Sequence, residues 1–129
     1  MTADASTIRS VVSAYTDAFA KGDRAAYVGL FAEDATVEDP IGTDRHEGHE
    51  AIGAFFDQMS GMADSIELRV TGPVRVAAGE CAFPMQARPS MGGQVLCVDI
   101  IDVMTFDDDG KITSMRAFWD PAEMRPAED

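Results

Sequence analysis

The sequence predicts a single α+β domain in which three N-terminal helices pack on a mainly antiparallel sheet. Apolar residues recur at helical spacing up to about residue 60 and follow the period of two typical of strands from Asp64 onward. The chain has 129 residues, enough for one core and too few for two, so we expect one domain over residues 1–129. Residues 120–129, rich in proline and acidic residues, are predicted to be a C-terminal tail.

The first helix is predicted to run for about four turns and to end near Gly22, with Tyr15 on its apolar stripe. Asp23 can cap a second, short helix, and a third begins after Gly48. The inward-facing residues of the second and third helices are predicted to be Tyr27, Leu30, Phe31, Ile52, Phe55, Phe56 and Met59.

A short strand is predicted between the second and third helices, at residues 35–39. It stops at Pro40, which restricts the preceding residue, Asp39, to an extended conformation. Asp39 should therefore share a face with Ala35 and Val37.

The remaining strands are predicted at residues 66–71, 74–78, 81–89, 94–106 and 112–119. A two-residue hairpin turn at Gly92 and Gly93 sets Phe83 opposite Asp102, and a four-residue loop at 107–110 sets Met115 opposite Asp102. One face of the sheet then carries Phe83, Met85, Ala87, Leu96, Val98, Ile100, Asp102, Met104, Phe106, Met115, Ala117 and Trp119. Asp102 is the one charged residue on that predicted face.

A carboxyl group on an apolar face has to be neutralised, because burying it ionised and unpaired is very costly. If Asp102 stays protonated at neutral pH, its pKa is raised and the group becomes a hydrogen-bond donor. The alternative is structural: Asp102 accepts hydrogen bonds from the backbone or from an arginine such as Arg116.

Composition excludes several classes of partner. The formal net charge is −13, so phosphate backbones and anionic lipid surfaces would repel the chain, and we expect neither a nucleic acid nor a membrane partner. No apolar run is long enough to span a bilayer, and the first residues lack the pattern of a secretion signal, which predicts a cytoplasmic protein. The two cysteines, Cys81 and Cys97, are predicted to be unpaired.

Two segments resemble metal sites but lack the required spacing. His46 and His49 do not form a His-Glu-x-x-His motif, and the acidic run at 107–109 has no glutamate at the distance a calcium loop needs. We predict no metal site and read the acidic run as a turn.

Three residues on separate predicted elements could act together. Asp39 is a candidate base, and Tyr15 and a neutral Asp102 are candidate donors around an apolar cavity. A base and two donors are what is needed to move a proton α to a carbonyl group.

The sequence resembles the bacterial Δ5-3-ketosteroid isomerases, within the superfamily of nuclear-transport-factor-like and polyketide-cyclase-like domains. The resemblance rests on the run FAEDATVEDPIG at 31–42, the run GKITSMRAFW at 110–119, and the placement of Tyr15 and Asp102. It implies a cone-shaped fold with a curved sheet around a deep apolar pocket, usually in a homodimer. It also implies isomerisation of 3-oxo-Δ5-steroids to 3-oxo-Δ4-steroids without a cofactor.

The resemblance assigns a role to each candidate. Asp39 matches the general base that moves a proton from C4 to C6, Tyr15 the oxyanion tyrosine and Asp102 the protonated oxyanion acid. This family is a well-known example of a carboxylic acid kept neutral so that it can donate a hydrogen bond. The residues expected to bind the steroid are Trp119, Phe83, Met85, Val98, Met104, Met115 and Phe56.

One departure from the family pattern and three alternatives remain. Some members carry further tyrosines near the oxyanion tyrosine, where this chain has Phe31 and Phe56. The same fold also supports polyketide cyclases, epoxide hydrolases and non-catalytic binding modules. An epoxide hydrolase would need an arginine such as Arg88 or Arg116 inside the cavity.

The outer face of the strand at 94–106 points to self-association. It carries apolar residues that would be unusual in contact with solvent, which indicates a covered subunit interface. These residues are Val95, Cys97, Ile101 and Val103.

Overall fold

The computed structural model describes residues 2–127 and has the predicted α+β architecture, with three helices on one curved sheet. The helices are α1 (Ala5–Lys21), α2 (Arg24–Val28) and α3 (Gly48–Gly61). The strands are β1 (Phe31–Glu38), β2 (His46–Glu47), β3 (Ser65–Val70), β4 (Arg75–Ala77), β5 (Glu80–Met91), β6 (Gln94–Phe106), β7 (Ile112–Phe118) and β8 (Arg125–Pro126). None of the helices within these residues has the length and apolar character needed to cross a bilayer.

Helix α1 ends near Gly22, as the sequence predicts. The side chain of Asp4 accepts a hydrogen bond from the backbone N–H of Thr7 at 2.8 Å, which caps the first turn. Gly22 ends the helix in the left-handed conformation, at φ 63°. Tyr15 lies on the buried stripe between these ends.

Helix α2 is shorter, and β1 longer, than the sequence predicts. Asp23 caps α2 as expected, but the helix ends at Gly29, and the strand begins at Phe31. Phe31 is buried as predicted, although it belongs to a strand. The cause is tertiary: Phe31 pairs with Ile112 of β7, a contact that local sequence does not encode.

The strands form one sheet in the order β2-β1-β7-β6-β5-β3, with β4 beside β5 and β8 beside β6. The β1–β7 pair is parallel and the other pairs are antiparallel. The carboxyl ends of β1 and β7 therefore meet at the same edge of the sheet.

The predicted register of β5 against β6 is confirmed: Phe83 lies opposite Asp102 and Met91 opposite Gln94. The predicted register of β6 against β7 is wrong by two residues. Met115 lies opposite Met104, and Asp102 lies opposite Ala117. The loop is one residue longer than predicted, and a bulge follows it, so the two strands are shifted by two residues. Because a shift by an even number of residues preserves the alternation of a strand, each side chain keeps its predicted face.

Part of the predicted C-terminal tail is folded onto the sheet. Residues Pro121–Glu123 form a 3₁₀ turn, and β8 pairs with β6, placing Arg125 opposite Cys97. Cys97 on the outer face is therefore covered by the chain's own C-terminal segment, whereas Val95 and Ile101 are 38% and 46% exposed. Residues 128 and 129 of the predicted tail lie outside the described residues.

Candidate active site

Asp39 and Trp119 meet where β1 and β7 end. The parallel pairing brings the residues that follow the two strands together. The indole Nε1 of Trp119 donates a hydrogen bond to Oδ1 of Asp39 at 2.6 Å. The bond holds the carboxylate in one orientation. This contact was not predicted from the sequence.

Burial raises the pKa of the Asp39 carboxyl, because its charged form loses contact with water. The Trp119 hydrogen bond and the nearby charge of His46 lower the pKa and only partly offset the effect of burial. An ionised Asp39 is therefore a stronger base than a solvated aspartate. This is the property that proton abstraction from carbon requires.

Tyr15 projects from α1 and is 2% exposed. Its ring packs against Phe19, at 5.7 Å between ring centroids, and against Tyr27, at 5.8 Å. Burial raises the pKa of the Tyr15 hydroxyl well above its usual range, and the charges of Asp102, Tyr27 and Asp39 raise it further. Tyr15 therefore keeps its proton at neutral pH and can donate it in a hydrogen bond.

Asp102 lies in the middle of β6 and is 0% exposed. Neither carboxyl oxygen has a hydrogen-bond partner among residues 2–127. Burial, followed by the charge of Asp39, raises the pKa of Asp102 well above its usual range. Arg116, the partner suggested by the structural alternative, is exposed and lies over the ring of Phe118 at 5.2 Å.

The structure contains an apolar cavity of about 150 Å³, and Asp102 is not among the residues that line it. Tyr15 and Asp39 both line it. Met62, which is 60% exposed, belongs to the lining and marks the mouth. The methionines of the lining are Met59, Met62, Met85, Met91 and Met124.

The predicted steroid-binding residues divide into two groups. Trp119, Met85 and Val98 line the cavity. The other four are buried in the core and are not among the lining residues: Phe83, Met104, Met115 and Phe56. Three of these four continue the same sheet face around Asp102, because Phe83 pairs with Asp102 and Met104 pairs with Met115.

Several lining residues were not predicted. Met124 comes from the segment read as a tail, and Met91 comes from the end of β5. Eight methionines in 129 residues were a signal for an adaptable apolar site, but the pattern does not say which of them line it.

The residues of the metal-like motifs have other contacts. His49 Nε2 forms a hydrogen bond with the carbonyl oxygen of Phe31 at 2.8 Å, and the ring of His46 packs on Phe55 at 4.8 Å. The predicted turn at 107–110 is confirmed, since Asp107 Oδ1 accepts hydrogen bonds from two backbone N–H groups of the loop. Among residues 2–127, no three His, Cys, Asp or Glu side chains are grouped so that they could hold a metal ion.

Comparisons with known proteins show the family to which the chain belongs. Residues 12–115 match the SnoaL-like domain family, and the chain belongs to that family. The chain is 46% identical over 117 residues to the Steroid Delta-isomerase of Nocardioides simplex, a match that covers 91% of this chain and 93% of that protein. The predicted membership of the ketosteroid isomerase family is confirmed.

A solved structure supports the fold independently. It is described as the epoxide hydrolase/cyclase-like enzyme SalBIII, with a role in pyran ring formation in the polyether salinomycin. The two chains superimpose with a TM-score of 0.85 at 27% identity, over 96% of this chain and 98% of that one.

Proposed function

We propose that the protein is a steroid Δ-isomerase that converts 3-oxo-Δ5-steroids into 3-oxo-Δ4-steroids without a cofactor. The observation that carries the proposal is the pairing of Asp39 with Trp119 beside an apolar cavity that Tyr15 also lines. The 46% identity to a named steroid isomerase supports an isomerase enzyme.

In the proposed reaction, Asp39 removes a proton from C4 of the steroid. The C4–H electron pair forms the new C3–C4 double bond, and the carbonyl electrons move onto the C3 oxygen, giving a dienolate. Asp39 then returns the proton to C6, which takes up the C5–C6 π electrons. The C3–C4 π electrons form the C4–C5 double bond, and an electron pair of the C3 oxygen re-forms the carbonyl group. A single carboxyl group serves both transfers, so no external proton donor is consumed.

Tyr15 and Asp102 are the proposed donors to the dienolate oxygen. Burial raises the pKa of both groups, which favours the protonated forms that can donate hydrogen bonds. Donors fixed in a low-dielectric site stabilise developing negative charge more strongly than water does. The unpartnered carboxyl of Asp102 supports this role, because its proton is not committed to another described group.

The cavity supports a rigid, apolar substrate. In this proposal a bound steroid lies along the apolar lining and extends toward the mouth near Met62. Methionine side chains can adapt to such a ligand because they are unbranched and flexible. Met85, Val98 and Trp119 are the predicted binding residues that line this space; the roles of Phe83, Met104, Met115 and Phe56 remain predictions.

The likeness to SalBIII keeps a cyclase or an epoxide hydrolase as a second candidate. The predicted hydrolase arrangement requires an arginine in the cavity. Within residues 2–127 no arginine lines the cavity: Arg88 lines a separate polar pocket with Cys97 and Arg125, and Arg116 is exposed. This difference favours the isomerase.

We also propose that the protein is a cytoplasmic homodimer, with each chain folded as one domain. The support for a dimer is the apolar outer face of β6 and β7. On it Ile101 pairs with Phe118, and the two are 46% and 40% exposed.

The test is a turnover assay with a 5-ene-3-oxosteroid, followed by the absorbance of the conjugated enone. The wild type should turn the substrate over, and Asp39→Asn should lower kcat by about 100- to 10,000-fold. A silent wild type, or an equally fast Asp39→Asn variant, contradicts the proposal. Tight steroid binding with no turnover would indicate a binding module.

A further inference from the structure

The hydroxyl group of Tyr27 has no hydrogen-bond partner among the residues that the structure describes. Tyr27 lies in α2 and is 0% exposed. Its hydroxyl and the two carboxyl oxygens of Asp102 are the buried side-chain polar atoms without a hydrogen-bond partner among residues 2–127. A buried hydroxyl that gives up water without gaining a partner destabilises the folded state. A phenylalanine would fill the same space without that loss.

Among the aromatic rings that contact Tyr27, one carries a possible hydrogen-bond acceptor. Its ring contacts three phenylalanines at 4.9 to 5.1 Å between ring centroids: Phe19, Phe31 and Phe56. None of these rings can accept a conventional hydrogen bond. The fourth neighbouring ring is Tyr15, at 5.8 Å, and it alone of the four carries a hydroxyl.

The same two acidic residues influence the hydroxyl groups of Tyr27 and Tyr15. After burial, the charges of Asp39 and Asp102 are the causes that raise the pKa of Tyr27. The same two carboxyls, with Tyr27 itself, raise the pKa of Tyr15. The two tyrosines and the two acids therefore form one electrostatically linked group.

We propose that Tyr27 is a positioning residue for Tyr15, and that its hydroxyl donates a hydrogen bond to the Tyr15 oxygen when Tyr15 donates to a bound oxyanion. The bond is absent in this structure, so it requires a small rotation of a ring or one bridging water molecule. A phenol gains negative character on its oxygen as it donates, and a second donor to that oxygen stabilises the change. This inference rests on the proposed role of Tyr15.

The test is Tyr27→Phe, which removes one oxygen atom and keeps the ring. We expect kcat to fall about tenfold with KM within twofold, because the lost interaction acts mainly in the transition state. The melting temperature should stay at or above that of the wild type. The matched control is Thr113→Val, which removes a hydroxyl that donates to the Thr105 carbonyl at 3.1 Å, outside the group; its kcat should not change.

A coupling measurement separates positioning from packing. In a Tyr15→Phe background, Tyr27→Phe should have little further effect on kcat, because the group it supports is gone. A lower melting temperature with unchanged kcat, or equal losses in both backgrounds, would overturn the inference while leaving the isomerase proposal intact.

A binding measurement tests Tyr27 independently of turnover. A naphthol presents an oxygen that resembles an enolate when ionised, and its absorbance reports its ionised fraction in the site. Tyr27→Phe should lower that fraction relative to the wild type and to Thr113→Val. An unchanged ionised fraction in Tyr27→Phe would overturn the inference about Tyr27. A wild type that binds the naphthol but does not isomerise a steroid would instead contradict the proposed function.

Discussion

Trp119 donates its indole N–H to Asp39 across 2.6 Å, joining two residues that lie 80 positions apart in the chain. The contact exists because β1 and β7 run parallel and end at the same edge of the sheet. It stabilises the ionised carboxylate against the effect of burial, so it influences the pH above which Asp39 could act as the proposed base.

Replacing Trp119 by phenylalanine should shift the acid limb of the pH–rate profile to higher pH. The proposed mechanism requires the ionised form of Asp39, and removing the donor raises the pKa of the carboxyl further above its usual range. The pH dependence of kcat/KM measures the shift. Met85→Leu, another change in the lining, should alter KM and leave the acid limb in place; an unmoved limb in Trp119→Phe would refute the role of the bond.

Two substitutions at Asp102 should differ in activity. Asp102→Asn keeps a donor and should lower kcat by no more than about tenfold. Asp102→Leu removes the donor and should lower kcat by about 100- to 1,000-fold, the usual effect of losing one oxyanion donor. Steady-state kinetics on both variants is the check, and equal small losses would mean that Asp102 has a structural role only.

The stability of the wild type should fall as the pH rises, in part because of Asp102. Folding raises the pKa of this carboxyl, so the folded state keeps a proton that the unfolded chain has already released. The stability linked to that proton is fully present below the unfolded pKa, near 3.9, and is lost as pH rises through the folded pKa. One such proton changes the free energy of unfolding by at most about 1.4 kcal/mol per pH unit.

Urea unfolding at pH 5 and pH 8 measures this effect. The wild type should lose more stability across the interval than Asp102→Asn, which has no proton to release. Asp39 also makes the free energy of unfolding fall with rising pH, and it does so in both proteins. The difference between the two pH dependences therefore reports on Asp102. Parallel changes in the two proteins would show that Asp102 has the same pKa in the folded and unfolded states.

A charge on the outer face of β6 should break the proposed dimer. Ile101→Asp places a carboxylate where the exposed Ile101 and Phe118 are expected to meet a second copy, and it should halve the mass in solution. Gln58→Asp, an equally exposed change on α3, should leave the mass unchanged. A wild type that sediments as a monomer would remove the basis for this interface.

Local sequence signals were sufficient to predict which residues share a face of the sheet, but not which of them line the cavity. The glycine pair at 92 and 93 fixes the register of β5 on β6, and Asp102 was recognised as a charge on an apolar face. The bulge near Thr105 depends on how β7 also pairs with β1, so local sequence did not reveal it.

The extent of the cavity depends on packing between distant segments. Met85 and Val98 line it, whereas Phe83 and Met104 on the same face lie in the closed core. The alternation of residues along a strand predicts a face, but it carries no information on where helices close over that face. Met124 joins the lining from a segment whose composition indicates only a tail.

The parallel contact between β1 and β7 also constrains how the protein is made. A ribosome delivers β1 early, yet its partner is complete only at Phe118. Until β7 is complete, one edge of β1 is unpaired in the nascent chain. An unpaired strand edge with apolar side chains promotes aggregation with other chains. A chain that ends before β7 would lack an intact sheet and the Trp119 side chain that holds Asp39. Such fragments should be found in the insoluble fraction of the cell.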